Sequence, residues 1–271
     1  MTSFRFGVVS GSHGDARAWG ETARRMEASG YSALLVPDTL YTPSPFLALT
    51  AAAAATTELH LGTWVLAAPL RSPSEVVRET RTIVELSAGR FELGIGAGRP
   101  QGEQDAMALG RHWGTPRERV DLVQATLEAA RAELGDALPI TLAGSGDRML
   151  RLAGRLADTV ALPLPPTATM SDVAAQAERV RASTAEGRAQ LGLALQISGV
   201  GDDVPEWLRR SSGVTPEGLR DAGAVALLSG DSASDADALL GLRETTGVSF
   251  ITVSEEFAER LAPLAAALSG R

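Results

Sequence analysis

Gly89–Gly98 reads GRFELGIGAG. Residues 91–96 alternate large apolar side chains with short or polar ones, the period of a β-strand, and the small residues Ala97 and Gly98 follow before Arg99. A glycine-rich turn that leaves a strand presents bare backbone amides, which makes it a natural cradle for an anion. Its meaning depends on how often this strand-turn unit recurs.

Outward from this strand, short apolar runs recur at 4–9, 33–37, 59–67, 139–144, 158–163, 192–199 and 248–254. Helical patterns lie between them at 15–29, 44–57, 73–88, 115–134, 147–157, 171–189 and 232–246, with a last one at 255–268. Strand and helix alternating in this way predict βα units around parallel strands. Eight such units in 271 residues fit an α/β fold of the (β/α)8 or TIM-barrel kind better than an open doubly wound sheet. The stretch 200–231 interrupts the alternation and is expected as an insertion before the last strand, with short helices at 203–210 and 215–222. No linker, tandem repeat or low-complexity tract divides the chain, so residues 1–271 read as a single domain.

Composition narrows the chemistry. The chain has no cysteine, and all 25 of its basic residues are arginine. Disulfides, thiolate metal sites, cysteine nucleophiles, lysine Schiff bases and the phosphate loop that requires Gly-Lys-Ser/Thr are therefore excluded. A net charge of −8 argues against nucleic acid and anionic membranes as partners. No signal-peptide pattern or apolar membrane span is seen, so the expected compartment is the cytoplasm.

In a barrel of this kind the working residues stand where strands end. That rule selects His13 and Asp15 after the first strand, Asp38, Thr39 and Tyr41 after the second, Arg71 after the third, and Arg99 and Glu103 after the fourth. The fifth strand ends in AGSGDRML, where Gly144, Ser145 and Gly146 precede a helix starting near Asp147. Free amides and the helix dipole make this turn a phosphate seat, although the glycines also suit a plain tight turn. Neither glycine loop completes a dinucleotide fingerprint, because Arg99 and Met149 occupy the third glycine's place. His60 opens the third strand on the opposite face, His112 lies in a loop beside Trp113, and no histidine pair has metal-ligand spacing. SGDSASDADAL reads as a helix start, with Ser232 or Ser234 capping ahead of Asp235 and Asp237.

Three stretches carry a resemblance: GYSALLVPDTL, then LTAAAAATTELHLGTWVLAAPLRSPSEVVRETRTIVELSAGRFELGIGAG, then LPITLAGSGDRMLRLAGRLADTVAL. Together the chain resembles the bacterial-luciferase-like superfamily, and within it the actinobacterial deazaflavin-dependent oxidoreductases. The resemblance implies a barrel that binds coenzyme F420 or flavin mononucleotide (FMN) at the C-terminal ends of its strands. It implies a non-prolyl cis peptide at Trp64-Val65 behind the tricyclic ring, and phosphate contacts at Ala97, Gly98, Gly144, Ser145 and Gly146.

The resemblance further implies hydride transfer between F420 and a small organic substrate, with His13, Asp38, Thr39 and Arg99 near the ring. An FMN-dependent monooxygenase and a non-catalytic cofactor-binding protein are the alternatives. Thr39 stands where sugar- and alcohol-oxidising relatives carry histidine, and Arg99 where they carry an acid. A threonine cannot act as general base at neutral pH, nor a permanently charged arginine as proton donor. The segment ARAELGDALPI is shorter than its counterparts in the family, which implies a pocket that is either more open or closed by a partner chain. A homodimer is implied as well; AAAAATT at 51–57 either offers a small-residue face for close approach or packs onto the barrel strands.

Overall fold

The computed structural model describes residues 2–184 and 189–271. Its elements follow the alternation read from the sequence: β1 (Arg5–Val9), α1 (Ala16–Ala28), β2 (Ala33–Val36), α2 (Pro45–Ala53), β3 (His60–Thr63), β4 (Leu66–Ala67), α3 (Pro73–Leu86) and β5 (Phe91–Gly96). Then come α4 (Gly102–Ala108), α5 (Pro116–Leu134), β6 (Ile140–Ala143), α6 (Asp147–Leu156), β7 (Thr159–Ala161), α7 (Met170–Ser183) and β8 (Gly192–Gln196). The insertion holds β9 (Gly199–Val200), α8 (Glu206–Ser212), α9 (Pro216–Asp221) and β10 (Leu227–Leu228), before α10 (Ser232–Thr246), β11 (Val248–Ser254) and α11 (Glu255–Leu268).

The strands run parallel in the order β3-β2-β1-β11-β8-β7-β6-β5-β4, and a further β3–β5 pairing closes the ring. With β3 and β4 forming one broken stave, this is the expected eight-stave TIM barrel. The wall separates two apolar clusters. Outward-facing Phe6, Val8, Leu34, Val36, Phe91, Leu93, Ile95, Ile140, Leu142 and Val160 join the helices in the main core. A small inner cluster holds Ala33, Leu35, Ala194 and Phe250, with Val9 and Trp64 against it. Because side chains alternate across a strand, Gly94 and Gly96 of β5, Ala143 of β6 and Ala161 of β7 also point inward. Toward the rim, the lumen side of β5, β6 and β7 is thus glycine and alanine.

Helix ends are fixed locally. Ser72 and Glu75 form a reciprocal capping box at α3, as do Thr115 and Glu118 at α5. At α10 the expected serine cap is replaced by Asp231, whose carboxylate accepts from Ser234 N at 2.9 Å. Asp235 folds back and accepts from the Ser229 amide and hydroxyl at 2.7 Å and from Gly230 N at 2.9 Å. A carboxylate outcompetes a hydroxyl here because it is charged and can serve several amides at once.

Three further departures from the sequence reading stand out. The insertion closes on itself through the parallel β9–β10 pair, and its helices begin slightly later than expected. Helix α4 was not expected, and the helix at 171–189 is described only to Ser183, its predicted end lying partly outside the described residues. The third strand, expected unbroken over 59–67, stops at Thr63 and resumes at Leu66. At that break the Thr63 hydroxyl accepts from Gly94 N at 2.8 Å and donates to Gly94 O at 2.7 Å, replacing bonds the strand ladder lacks.

Candidate cofactor site

The two glycine turns leave neighbouring strands in step. Gly96 of β5 is the register partner of Ala143 of β6, so Ala97-Gly98 and Gly144-Ser145-Gly146 emerge side by side on the C-terminal rim. Gly146 is the N-cap of α6, with extended backbone at φ −71° and no side-chain cap bond. A Cβ built on Gly146 would meet nothing within 4 Å. No side chain caps the first amides of α6, which leaves the bare donors that suit an anion. Asp147 in the first turn is paired with Arg179 at 2.8 Å, and Arg148 is paired with Asp121. The local acidic charge is thereby offset.

Gly98 is a glycine of necessity. Its φ is +83°, and a Cβ there would come within 2.6 Å of the Trp113 ring. Arg119 locks this loop: its guanidinium lies 4.5 Å from the Trp113 ring centroid, and its Nε donates to Ala97 O at 3.1 Å. Sequence reading set Trp113 beside His112 in a loop and missed Arg119, which sits on a helix and shows no local motif.

The break in the third stave is a cis peptide between Trp64 and Val65, where the resemblance implied one. A Cβ on Gly94 would lie 2.0 Å from Thr63 O, so the close approach of β5 to this corner requires glycine. From the corner the Trp64 side chain crosses the lumen. Its indole Nε1 donates to Gln196 Oε1 at 3.2 Å, and its ring meets Phe250 edge-on at 5.8 Å between centroids.

The other predicted residues fall on the same rim with different partners. Asp38 is held by Arg71 through two bonds and accepts from Ala67 N at 3.2 Å. Both of its oxygens are engaged and its side chain is only 7% exposed, which gives it the geometry of a brace. Thr39 Oγ1 accepts from Tyr41 N at 3.1 Å within its own loop. His13 Nε2 lies 2.9 Å from Tyr41 O and so joins the loops after β1 and β2. Arg99 is exposed and reaches Asp105 at 3.3 Å.

His112 is 85% exposed, and His60 stands at the opposite end of the barrel, 2.8 Å from Glu92. Among the described residues no group of three His, Cys, Asp or Glu side chains could hold a metal ion, and no helix is long and apolar enough to cross a membrane. Gln196 went unnoticed in the sequence, although it is the lone long polar side chain on the inward series Gly192, Ala194, Gln196 of β8.

A family model described as luciferase-like monooxygenase matches residues 1–267. The chain belongs to the luciferase-like monooxygenase family. That family comprises F420- and flavin-dependent oxidoreductases and monooxygenases, and the chain is accordingly read as an enzyme of this class. An F420-dependent glucose-6-phosphate dehydrogenase of Beutenbergia cavernae is 31% identical over 164 residues, covering 49% of this chain and 48% of that protein. The match thus spans about half the length of that relative.

Two solved structures share the fold of this luciferase-like chain. An F420-dependent secondary alcohol dehydrogenase in complex with an F420-acetone adduct superposes with a TM-score of 0.75 at 16% identity, covering 98% of this chain and 99% of the other. A riboflavin lyase with modified FMN and riboflavin gives a TM-score of 0.76 at 15% identity, covering 99% and 93%. At such identities the likeness is one of architecture alone.

Proposed function

We propose that this luciferase-like protein transfers hydride between bound coenzyme F420 and a small organic substrate. The observation that carries the reading is the pair of glycine turns leaving β5 and β6 in register, next to the uncapped start of α6. The amides of Ala97, Gly98, Gly144, Ser145 and Gly146 would hold the cofactor's phosphate, and the Trp64-Val65 corner would back its ring. Open space at Gly146 and the small inward residues of β5, β6 and β7 fit a group of this size and charge. When bound, the deazaflavin supplies two-electron hydride chemistry. The half-length likeness to an F420-dependent dehydrogenase supports F420 over FMN.

The chain's own residues then bind, orient and exclude water. Asp38 holds the rim through Arg71 and Ala67, and Thr39 shapes its loop. His13 is the group suited to move a proton. With Nε2–H donated to Tyr41 O, its Nδ1 is left as acceptor in the neutral ring. Arg99, partly tied to Asp105, suits an anionic tail or substrate carboxylate.

Titration of the purified chain with F420 and with FMN, followed spectrally, tests the reading. Uptake of F420 with reversible reduction is expected. Uptake of FMN alone, with oxygen consumption, would establish the monooxygenase reading instead, and uptake of neither the non-catalytic one.

A homodimer belongs to the same proposal, though the alanine face gives it little help. Ala52 and Ala53 are buried within the chain, and Ala55 lies against Gly20 of α1. Leu47, on the same helix and 75% exposed, is the better contact. Sedimentation velocity of the wild type and of Leu47→Arg, with a dimer expected only for the first, decides it.

A further inference from the structure

Trp64 does not end where the third stave ends. Its indole spans to β8, and between β3 and β8 in the barrel lie β2, β1 and β11. The 3.2 Å bond to Gln196 Oε1 is therefore a strut across the lumen rather than a contact between neighbours. Beneath it stands a column. Phe250 meets the indole edge-on, the Arg5 guanidinium lies 4.7 Å from the Phe250 ring centroid, and Arg5 is bonded to Glu92 at 2.5 Å.

The two sides of this indole differ. On one side Val9, Ala33, Leu35, Ala194 and Phe250 fill the lumen. Across the lumen, the inward positions nearest the rim on β5, β6 and β7 are Gly96, Ala143 and Ala161. Trp64 itself is half-buried, so part of the indole remains uncovered. A half-buried indole needs an acceptor for its N–H, and Gln196 supplies one while fixing the ring's rotation. Next to Gln196 in register is Thr252, which is fully buried and whose Oγ1 has no hydrogen-bond partner. The rim half of the lumen therefore combines a flat aromatic wall, small strand residues across from it with the Val65 side chain close to Gly94 and Gly96, and polar groups nearby.

We infer that Gln196 is a positioning residue: it holds the Trp64 indole as the wall against which a planar cofactor ring is set. This rests on the cofactor reading above. Removing the acceptor frees the indole to turn about its side-chain bonds, and the ring loses its wall.

The test has two readouts on the full chain. Subtracting the emission of Trp64→Phe from that of the wild type isolates Trp64 without any ligand. In Gln196→Leu this component should become more accessible to acrylamide, and in Gln196→Glu, which retains an acceptor oxygen, it should return to the wild-type level. In titrations with oxidised F420 or FMN, the Kd of Gln196→Leu should rise about tenfold, the effect of one lost buried hydrogen bond. The double variant Trp64→Phe/Gln196→Leu should lose no more than the weaker-binding single variant, because both break the same strut. Circular dichroism confirms that each variant is folded, and Gln196→Glu supplies the comparison if Gln196→Leu is not. Unchanged Trp64 quenching in Gln196→Leu, or additive losses in the double variant, would overturn the inference while the wild type still binds cofactor. A wild type that binds neither cofactor would instead remove the cofactor reading, and the wall role with it.

Discussion

Arg71 grips Asp38 with two prongs, Nε to Oδ2 at 3.1 Å and the terminal nitrogen to Oδ1 at 2.9 Å, while its other nitrogen reaches Glu79 at 3.2 Å. The pair joins the end of the second stave to the start of α3, and both side chains are largely out of water. Burying either charge alone is costly. Arg71→Ala should lower stability by about 3 kcal/mol, the low end for a broken buried pair because Arg71 keeps some solvent contact. Arg71→Lys should recover only part, since an ammonium cannot match the two-pronged geometry. Urea unfolding measures both. If Asp38→Asn left stability intact and reduced turnover alone, Asp38 would be a proton carrier and the brace assignment wrong.

Gly146 separates two effects that usually travel together. Aspartate is a favoured N-cap, and the extended backbone at Gly146 accepts it with no atom in its way. Gly146→Asp should hold or raise the melting temperature, because aspartate is at least as good a cap as glycine. The same carboxylate would repel a phosphate at the start of α6, so FMN and F420 should bind at least tenfold more weakly, as expected for a like charge in an anion seat. Binding that is unchanged in this variant would place the phosphate elsewhere.

Gly94→Ala should be severe. The added methyl would lie 2.0 Å from Thr63 O, a backbone atom that cannot step aside without disturbing the corner at Trp64. A loss of about 3 kcal/mol or more is expected, beyond ordinary overpacking because backbone must move. Near-ultraviolet circular dichroism, which reports the packing of Trp64 among others, should change with it. A native spectrum and an unchanged urea midpoint would contradict the required close approach.

Acid should weaken the closed end of the barrel through Glu92. Burial pushes this carboxyl up, but the His60 ring and the Arg5 guanidinium overcome that, so its pKa lies below its ordinary value of 4.5. A carboxyl lowered by folding contributes stability above its unfolded pKa and loses it as pH falls through the folded one. Glu92→Gln should therefore be less stable than the wild type at pH 7, and the gap should narrow below about pH 4.5, the ordinary glutamate value. Glu75, held down to about 2 by the Ser72 cap and Arg111, is present in both proteins and cancels. Urea unfolding at the two pH values makes the comparison, and an equal gap at both would show that Glu92 is not the linked group.

The barrel was legible because its outward strand positions carry Leu, Ile, Val and Phe while its helices begin at strong caps such as Ser72-Pro73. Both signals are local. The glycine turns of the site were legible for the same reason: Gly98 and Gly146 announce backbone that must be bare or bent. What stayed hidden is non-local. Trp64 finds Gln196 132 positions away and Asp38 finds Arg71 33 positions away, and no spacing rule connects either pair. The break in the third strand was legible only through the resemblance, which implied the cis peptide at Trp64-Val65; the apolar pattern of residues 59–67 does not mark it.

Because β5, β6 and β7 turn only Gly96, Ala143 and Ala161 inward next to the rim, the bore on that side is governed by strand residues and not by the loops above them. Exchanging alanine for valine at position 143 or 161 would narrow the well from beneath by increments of carbon, leaving every rim loop as it is. On the proposed reading, selection of a guest by size would rest with these staves.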